Sequence, residues 1–271
     1  MRTFLVTLHK IIFFKRLVPS LLRRLSFNRL IAVKIDNFLI NLNLASTIDR
    51  YIYLNGFYDR DKINFIEDKI DLNSYDYFLD IGSNIGFYSL YIASKYKNLN
   101  IMAFEPIHEN YFQIEKSKKL NNFENINIYK YALSNKKNEI KMWTTNLNKK
   151  GGFAVYDDKD YKNEIEVNNY NKDKIYKRSL VSEVFDDNFK IENKKIFIKI
   201  DVERHEFQCL KGMLRLLQDS NNKVFIQIEI INKYKKQVLD LLKKMNFRLV
   251  NTINADGNKD IYGSDYYLSN F

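Results

Sequence analysis

Along the first 31 residues, MRTFLVTLHKIIFFKRLVPSLLRRLSFNRLI, apolar pairs are broken by Lys10, Lys15, Arg16, Arg23, Arg24 and Arg29. That spacing predicts basic amphipathic helices, divided at Pro19. No run reaches the roughly 20 apolar residues that a bilayer span needs. No small-residue cleavage site follows a clean apolar stretch, so a signal peptide is not expected. From residue 75 the pattern changes. Short β-branched and aromatic runs predict strands at 77–82 (YFLDIG), 100–106 (NIMAFEP), 126–134 (INIYKYALS), 195–202 (KIFIKIDV) and 223–230 (KVFIQIEI). Helical segments fall between them at 86–97, 108–123 and 205–218, followed by 233–246, whose 3.6 periodicity is clear. The chain closes on two more strands, 247–253 and 265–271, across a turn-rich connection.

Strands alternating with helices imply βαβ units and a doubly wound parallel sheet. A closing strand pair on a short connection adds one antiparallel strand. The fold class expected is therefore α/β and Rossmann-like, in its class I methyltransferase variant. It has a seven-stranded, mostly parallel sheet with helices on both faces. Residues 1–50 read as an N-terminal basic helical extension, and 51–271 as the main domain. Residues 136–194, rich in Asn, Lys and Asp, read as an insertion with strand-like pieces NEIKMWTT and KIYKRSL.

Composition changes this picture little. A hydrophobic content of 45% supports a sizeable core, and only 2 prolines and 8 glycines in 271 residues argue against long linkers. The net charge of +11 is compatible with nucleic acid, an anionic membrane face, an acidic glycan, or lysines spread over a solvated surface. The single cysteine, Cys209, excludes an intrachain disulfide, fits a reducing compartment and reads as a small core residue.

Candidate chemistry follows from the architecture, because ligands of open parallel sheets bind at the carboxyl ends of the strands. The first strand delivers Asp80, Gly82, Ser83, Asn84 and Gly86 there. The second delivers Glu105 and the third Ala132, Leu133 and Ser134. The fourth delivers Asp201 and Glu203, with His205 and Glu206 close behind, and the fifth delivers Glu229. Glycines in the first turn let backbone approach a ligand, and the helix start offers unpaired N–H groups. A tight turn alone would also explain them. Glu105, at the end of the next strand, suits the two hydroxyls of an adenosine ribose and would repel a 2′-phosphate, which disfavours NADP. No Gly-Lys-Ser/Thr is present for a phosphate-loop NTPase. Acids in the first turn of a helix also complement its dipole, which explains Glu203 or Glu206 better than Asp201. Asp201, Glu203, Glu206 and Glu229 have the hard oxygens a divalent cation takes, but clustered acids without metal read equally well, and no metal is assigned.

In order and spacing, GFYD (56–59), FLDIGSNIGFYSL (78–90), AFEP (103–106), YALS (131–134), IKIDVERHEFQCLKG (198–212) and IQIEI (226–230) resemble the FkbM-type S-adenosylmethionine-dependent methyltransferases, over roughly residues 52–271. The resemblance implies S-adenosylmethionine as donor, usually O-methylation of a hydroxyl, and acceptors that are sugars of surface glycans or glycosylated metabolites. It implies that Asp80, Gly82, Asn84 and Gly86 hold the methionine part of the donor, with Ser83 of the same turn a further donor-binding candidate. Glu105 would take the ribose, Ala132–Ser134 would lie near the adenine, and Asp201 and Glu203 would face the transfer site; beside them His205 reads either as a base or as a structural histidine. Methyl transfer depends chiefly on in-line placement of the acceptor oxygen, with proton removal a smaller factor. Arg204 stands where the family usually has glycine, and Leu180–Val181 where Leu-Asp is common.

Two other functions compete with this one. The +11 charge admits a nucleic-acid methyltransferase, although no Asn/Asp-Pro-Pro-aromatic motif or appended RNA-binding module is legible. A non-catalytic S-adenosylmethionine-binding protein is the other. No specific nucleic-acid partner is expected. A cytoplasmic location is expected, and residues 1–30 read either as a helix capping the domain or as a basic amphipathic helix in peripheral contact with the inner membrane face.

Overall fold

The computed structural model describes residues 2, 5–6, 9, 17–25, 29–144, 154–155, 176–254 and 263–271. Helix α1 (Leu17–Leu25) carries Pro19 in its first turn, where a missing N–H costs no helical bond. A β-hairpin follows, β1 (Leu30–Ile35) and β2 (Phe38–Asn43), then α2 (Thr47–Asn55) and α3 (Arg60–Lys69). The hairpin corrects the reading of residues 1–50 as a helical extension. Val33, Ile35, Phe38, Ile40 and Leu42 are buried, and Asp36 takes the left-handed turn between the strands (φ 47°).

Alternating units then build the main sheet. They are β3 (Tyr77–Ile81), α4 (Phe87–Lys95), β4 (Asn100–Phe104), α5 (His108–Asn121) and β5 (Ile126–Tyr129). The outer edge of the hairpin is sealed by α5. Asn121 exchanges two hydrogen bonds with the Leu39 backbone, Ser117 Oγ accepts from the Asn41 N–H at 2.9 Å, and Gln113 donates to the Asn41 carbonyl. Residues 113, 117 and 121 recur every four along one helical face, so a single stripe satisfies a strand edge that would otherwise pair with another chain.

Next come β6 (Ala132–Leu133), β7 (Asn138–Thr144), β8 (Ala154–Val155), β9 (Tyr176–Glu183) and the short α6 (Phe185–Asn188). The strand expected over 126–134 is thereby divided. β5 pairs with β4 only to Phe104, because β4 ends where Glu105 and Pro106 turn away. Ala132 and Leu133 instead pair with Ser182 and Glu183 in a separate sheet of order β6-β9-β7-β8. The insertion therefore folds as a small sheet of its own over its described residues.

The chain returns through β10 (Lys195–Ile200), α7 (Glu206–Lys211), α8 (Leu214–Gln218), β11 (Lys223–Ile230), α9 (Asn232–Lys244), β12 (Arg248–Ile253) and β13 (Ser264–Ser269). The helix expected over 205–218 is broken at Gly212, where a Cβ would stand 2.0 Å from the Ser134 carbonyl oxygen. The seven-stranded order is β12-β13-β11-β10-β3-β4-β5, parallel throughout except β13, which is antiparallel to both neighbours. Successive residues of β3 serve opposite faces. Phe78 joins the layer formed by the hairpin, α2, α3 and α4, and Leu79 and Ile81 join that formed by α7, α8 and α9. Cys209 is fully buried in the second layer. The hairpin shares a core with α4, so residues 30–50 are part of the domain rather than an appendage.

Candidate active site

At the carboxyl ends of β3, β4, β10 and β11 lies a cleft of about 220 Å³. Its floor is the turn after β3, where Gly82 (φ 79°), Asn84 (φ 53°) and Gly86 (φ 77°) all adopt left-handed backbone. Both glycines are required by the protein itself. A Cβ on Gly82 would lie 1.9 Å from the Asp201 carbonyl oxygen, and one on Gly86 would lie 2.9 Å from the Ile114 side chain. The first brings the turn hard against the end of β10; the second lets α5 close over it.

Asp80, Ser83 and Gly86 shape this turn without lining the cleft. Fully buried, Asp80 accepts from Ser89 N–H at 3.2 Å and Ser89 Oγ at 2.6 Å. It thus serves one of the unpaired donors in the first turn of α4. Burial raises its pKa, an effect opposed by Lys199. Ser83 is buried with its hydroxyl toward the Phe104 carbonyl. Gly82 and Asn84 do line the cleft. The Asn84 N–H donates to Glu105 Oε2 at 2.9 Å, and its side-chain oxygen is buried with no protein partner.

Glu105 lies where the sequence placed it, with Oε1 accepting from the Ile107 N–H at 2.8 Å. Burial nonetheless pushes its carboxyl up to about 8. Beside it the wall is apolar, formed by Phe104, Ile107, Ala132, Leu133, Ile140 and Met142. Ile140 and Met142 come from β7, so the insertion builds part of the site. Ser134 is buried behind this wall and does not line it; its Oγ lies 3.0 Å from His205 Nε2.

The opposite end is acidic, with Asp201, Glu203, His205, Glu229 and Tyr58 together. Asp201 meets the buried ammonium of Lys199 at 3.2 Å. His205 is pushed down to about 4 by burial, so its imidazole is neutral at physiological pH. Burial and the Asp201 charge raise Glu229. Glu206 does not line the cleft. It accepts from the Arg204 N–H at 2.9 Å, and burial raises it to about 8.

A glycine-turn site, a buried acid on the neighbouring strand and an acidic far wall are one arrangement in three dimensions. The sequence matches the Methyltransferase FkbM domain family over residues 80–249. The chain belongs to the FkbM methyltransferase family. Among solved structures it is similar to an FkbM methyltransferase from Methylobacillus flagellatus KT, at 13% identity and a TM-score of 0.48, covering 83% of this chain and 53% of that one. A tRNA m1G37 methyltransferase from M. jannaschii matches at 12% identity and a TM-score of 0.49, covering 89% and 55%. The chain thus spans about half the length of each. A 68-residue stretch is 37% identical to part of the AMB antimetabolite synthetase AmbE of Pseudomonas aeruginosa, 25% of this chain and 3% of that protein.

The FkbM chain's Arg204 can now be placed. With φ 78°, directly after Glu203 at φ 53°, it keeps a left-handed backbone that glycine adopts freely. The bond from its N–H to Glu206 holds that conformation. Arg204→Gly is expected to preserve the fold and stabilise it by up to about 1 kcal/mol in urea unfolding; a marked loss of stability would show that the arginine side chain holds the loop.

Sequence reasoning gave no role to Tyr58, Asp59, Lys62, Lys199 or Asp265, which support the acidic wall. Lys62 Nζ lies 2.6 Å from Asp265, 3.6 Å from Asp59 and 3.7 Å from Glu229. Gln227 donates to the other Asp265 oxygen at 2.7 Å, and Tyr88 OH to Asp59 at 3.3 Å. One signal was available. Lys199 interrupts an otherwise apolar buried strand two residues before Asp201, on the same face. Among the described residues no group of three or more His, Cys, Asp or Glu side chains is placed to hold a metal ion.

Proposed function

We propose that the protein is an S-adenosylmethionine-dependent methyltransferase that methylates a hydroxyl of a sugar, in a surface glycan or glycosylated metabolite. The observation that carries this reading is the charge of the cleft. In a chain of net charge +11, the wall facing the acceptor is lined by Asp201, Glu203 and Glu229. The two lysines behind it, Lys62 and Lys199, are engaged by carboxylates. Such a wall offers carboxyl oxygens as hydrogen-bond acceptors to sugar hydroxyls.

The donor fits the remainder. Glu105 suits a ribose diol, the apolar wall a purine, and the buried unpartnered Asn84 oxygen an N–H donor. Bound there, S-adenosylmethionine supplies an electrophilic methyl on a cationic sulfur. Asp201, held at 3.2 Å by Lys199, orients the acceptor hydroxyl. Glu203 borders the same space. Glu229, with its proton affinity raised, receives the hydroxyl proton. His205 keeps a neutral imidazole bonded to Ser134 and serves as a positioning group, since a base titrating near 4 is too weak for this proton.

The test is transfer from tritiated donor to glycan fractions of the producing cells, with bulk RNA in parallel. Label on glycan, reduced about 100-fold in kcat by Glu229→Gln with donor binding unchanged, is the expected result. The wild-type rate should also rise with pH through the elevated Glu229 titration, and the variant should lack that limb. Label on RNA alone would overturn the acceptor assignment. Donor binding without turnover on any fraction would favour a non-catalytic binding protein.

A further inference from the structure

Helix α1 has two apolar faces, and only one is used. Val18 and Leu22, four residues apart, are buried against the domain core at 2% and 8% exposure. Leu17 and Leu21, also four apart, are 54% and 50% exposed. Arg24 continues their stripe at i+7 and is exposed, as is Arg23 beside it. An exposed leucine stripe bordered by arginines matches an anionic bilayer in both chemistry and sign.

The helix is also firmly mounted. Ahead of it, Arg2 donates from Nε to the Tyr53 carbonyl at 3.1 Å and from Nη1 to the Lys34 carbonyl at 2.9 Å. Arg2 is thus tied to α2 and the hairpin, and α1 is held to the core by Val18 and Leu22. Ile48, in the first turn of α2, lines the cleft. A surface held by α1 therefore lies within roughly two helix widths, about 20 Å, of the cleft. Among the described residues no helix is long and apolar enough to cross a membrane, so contact through α1 would be peripheral.

We infer that the Leu17–Leu21–Arg24 face of α1 docks the enzyme on an anionic lipid bilayer and presents the cleft to a glycan carried on a membrane lipid. The lipid-carried acceptor rests on the sugar-hydroxyl reading above; the docking does not.

The full-length protein should co-sediment with phosphatidylcholine vesicles containing phosphatidylglycerol, and much less with phosphatidylcholine alone. Leu17→Ser with Leu21→Ser should lower the partition coefficient about tenfold or more, with circular dichroism and donor calorimetry unchanged. Arg24→Glu should weaken the preference for anionic vesicles, and added salt should do the same. Equal partition of the wild type to both vesicle types, or no effect of the double leucine variant, would overturn the docking surface. A shift of the free protein from dimer to monomer in that variant would also overturn it, by assigning the face to self-association. Tritium transfer confined to water-soluble glycan, with vesicle binding intact, would overturn the lipid-carried acceptor and leave sugar methylation standing.

Discussion

Gly82→Ala is expected to destabilise the protein by more than about 4 kcal/mol, a large fraction of the stability of an ordinary domain. Two costs add. The backbone at Gly82 has φ 79°, which a Cβ penalises by about 1–2 kcal/mol. The new methyl would also stand 1.9 Å from the Asp201 carbonyl oxygen, a backbone atom at the end of a central strand that has little room to retreat. Gly56→Ala separates the two. Its φ is 75°, but the nearest atom to a new Cβ is the tip of Arg2, at 3.8 Å. It should cost only about 1–2 kcal/mol in the same urea titration. Equal losses in the two variants would show that the β10 backbone yields and that the close approach is not what selects glycine. The contact also has a functional side. The same atoms that exclude a side chain at Gly82 set the distance between the turn floor and Asp201, so any variant that folds by pushing β10 aside should also lose Asp201 from its place beside Lys199.

Much of this site was legible because class I topology gathers strand ends, and strand ends are easy to find. Asn84, Glu105, Asp201, Glu203, His205 and Glu229 were all read as strand-end residues and all line one cleft. What the sequence could not separate was a residue that touches the cleft from one that shapes its floor. Asp80 and Glu105 are both acids that follow apolar strand runs. One is turned under α4 to serve Ser89, and the other is turned outward by the Glu105–Pro106 break. That choice is made by the pleat and by the next helix, not by residue type. The hairpin over 30–43 was missed for a related reason. Its apolar content matches that of the basic helices before it, and its edge is satisfied by Gln113, Ser117 and Asn121, more than 70 residues away. Lys62 and Asp265 likewise meet only because β13 returns antiparallel beside β11.

The second large effect is on donor binding and its pH dependence, through Glu105. Its folded carboxyl titrates near 8 against an ordinary 4.5, because burial outweighs the two backbone N–H groups it accepts from. For an acid raised on folding, the sign is unfavourable. No cost is present below about 4.5, where both states are protonated. A cost accumulates as pH rises toward 8, because the unfolded chain ionises first. Ribose hydroxyls donating to the carboxylate favour its ionised form, so binding should draw the pKa back down and release a proton across that window. Calorimetry of S-adenosylhomocysteine in buffers of different ionisation enthalpy should therefore report release of up to one proton at pH 7. Affinity should rise with pH until about 8 is passed. Glu105→Gln, which keeps the shape and one acceptor, should lose roughly 10- to 100-fold in affinity at pH 8 and abolish the proton release. The comparison with the variant cancels any titration of the ligand itself. A variant that binds as tightly as the wild type, or releases the same proton, would remove Glu105 from the ribose and leave it as a brace between the glycine turn and the start of α5.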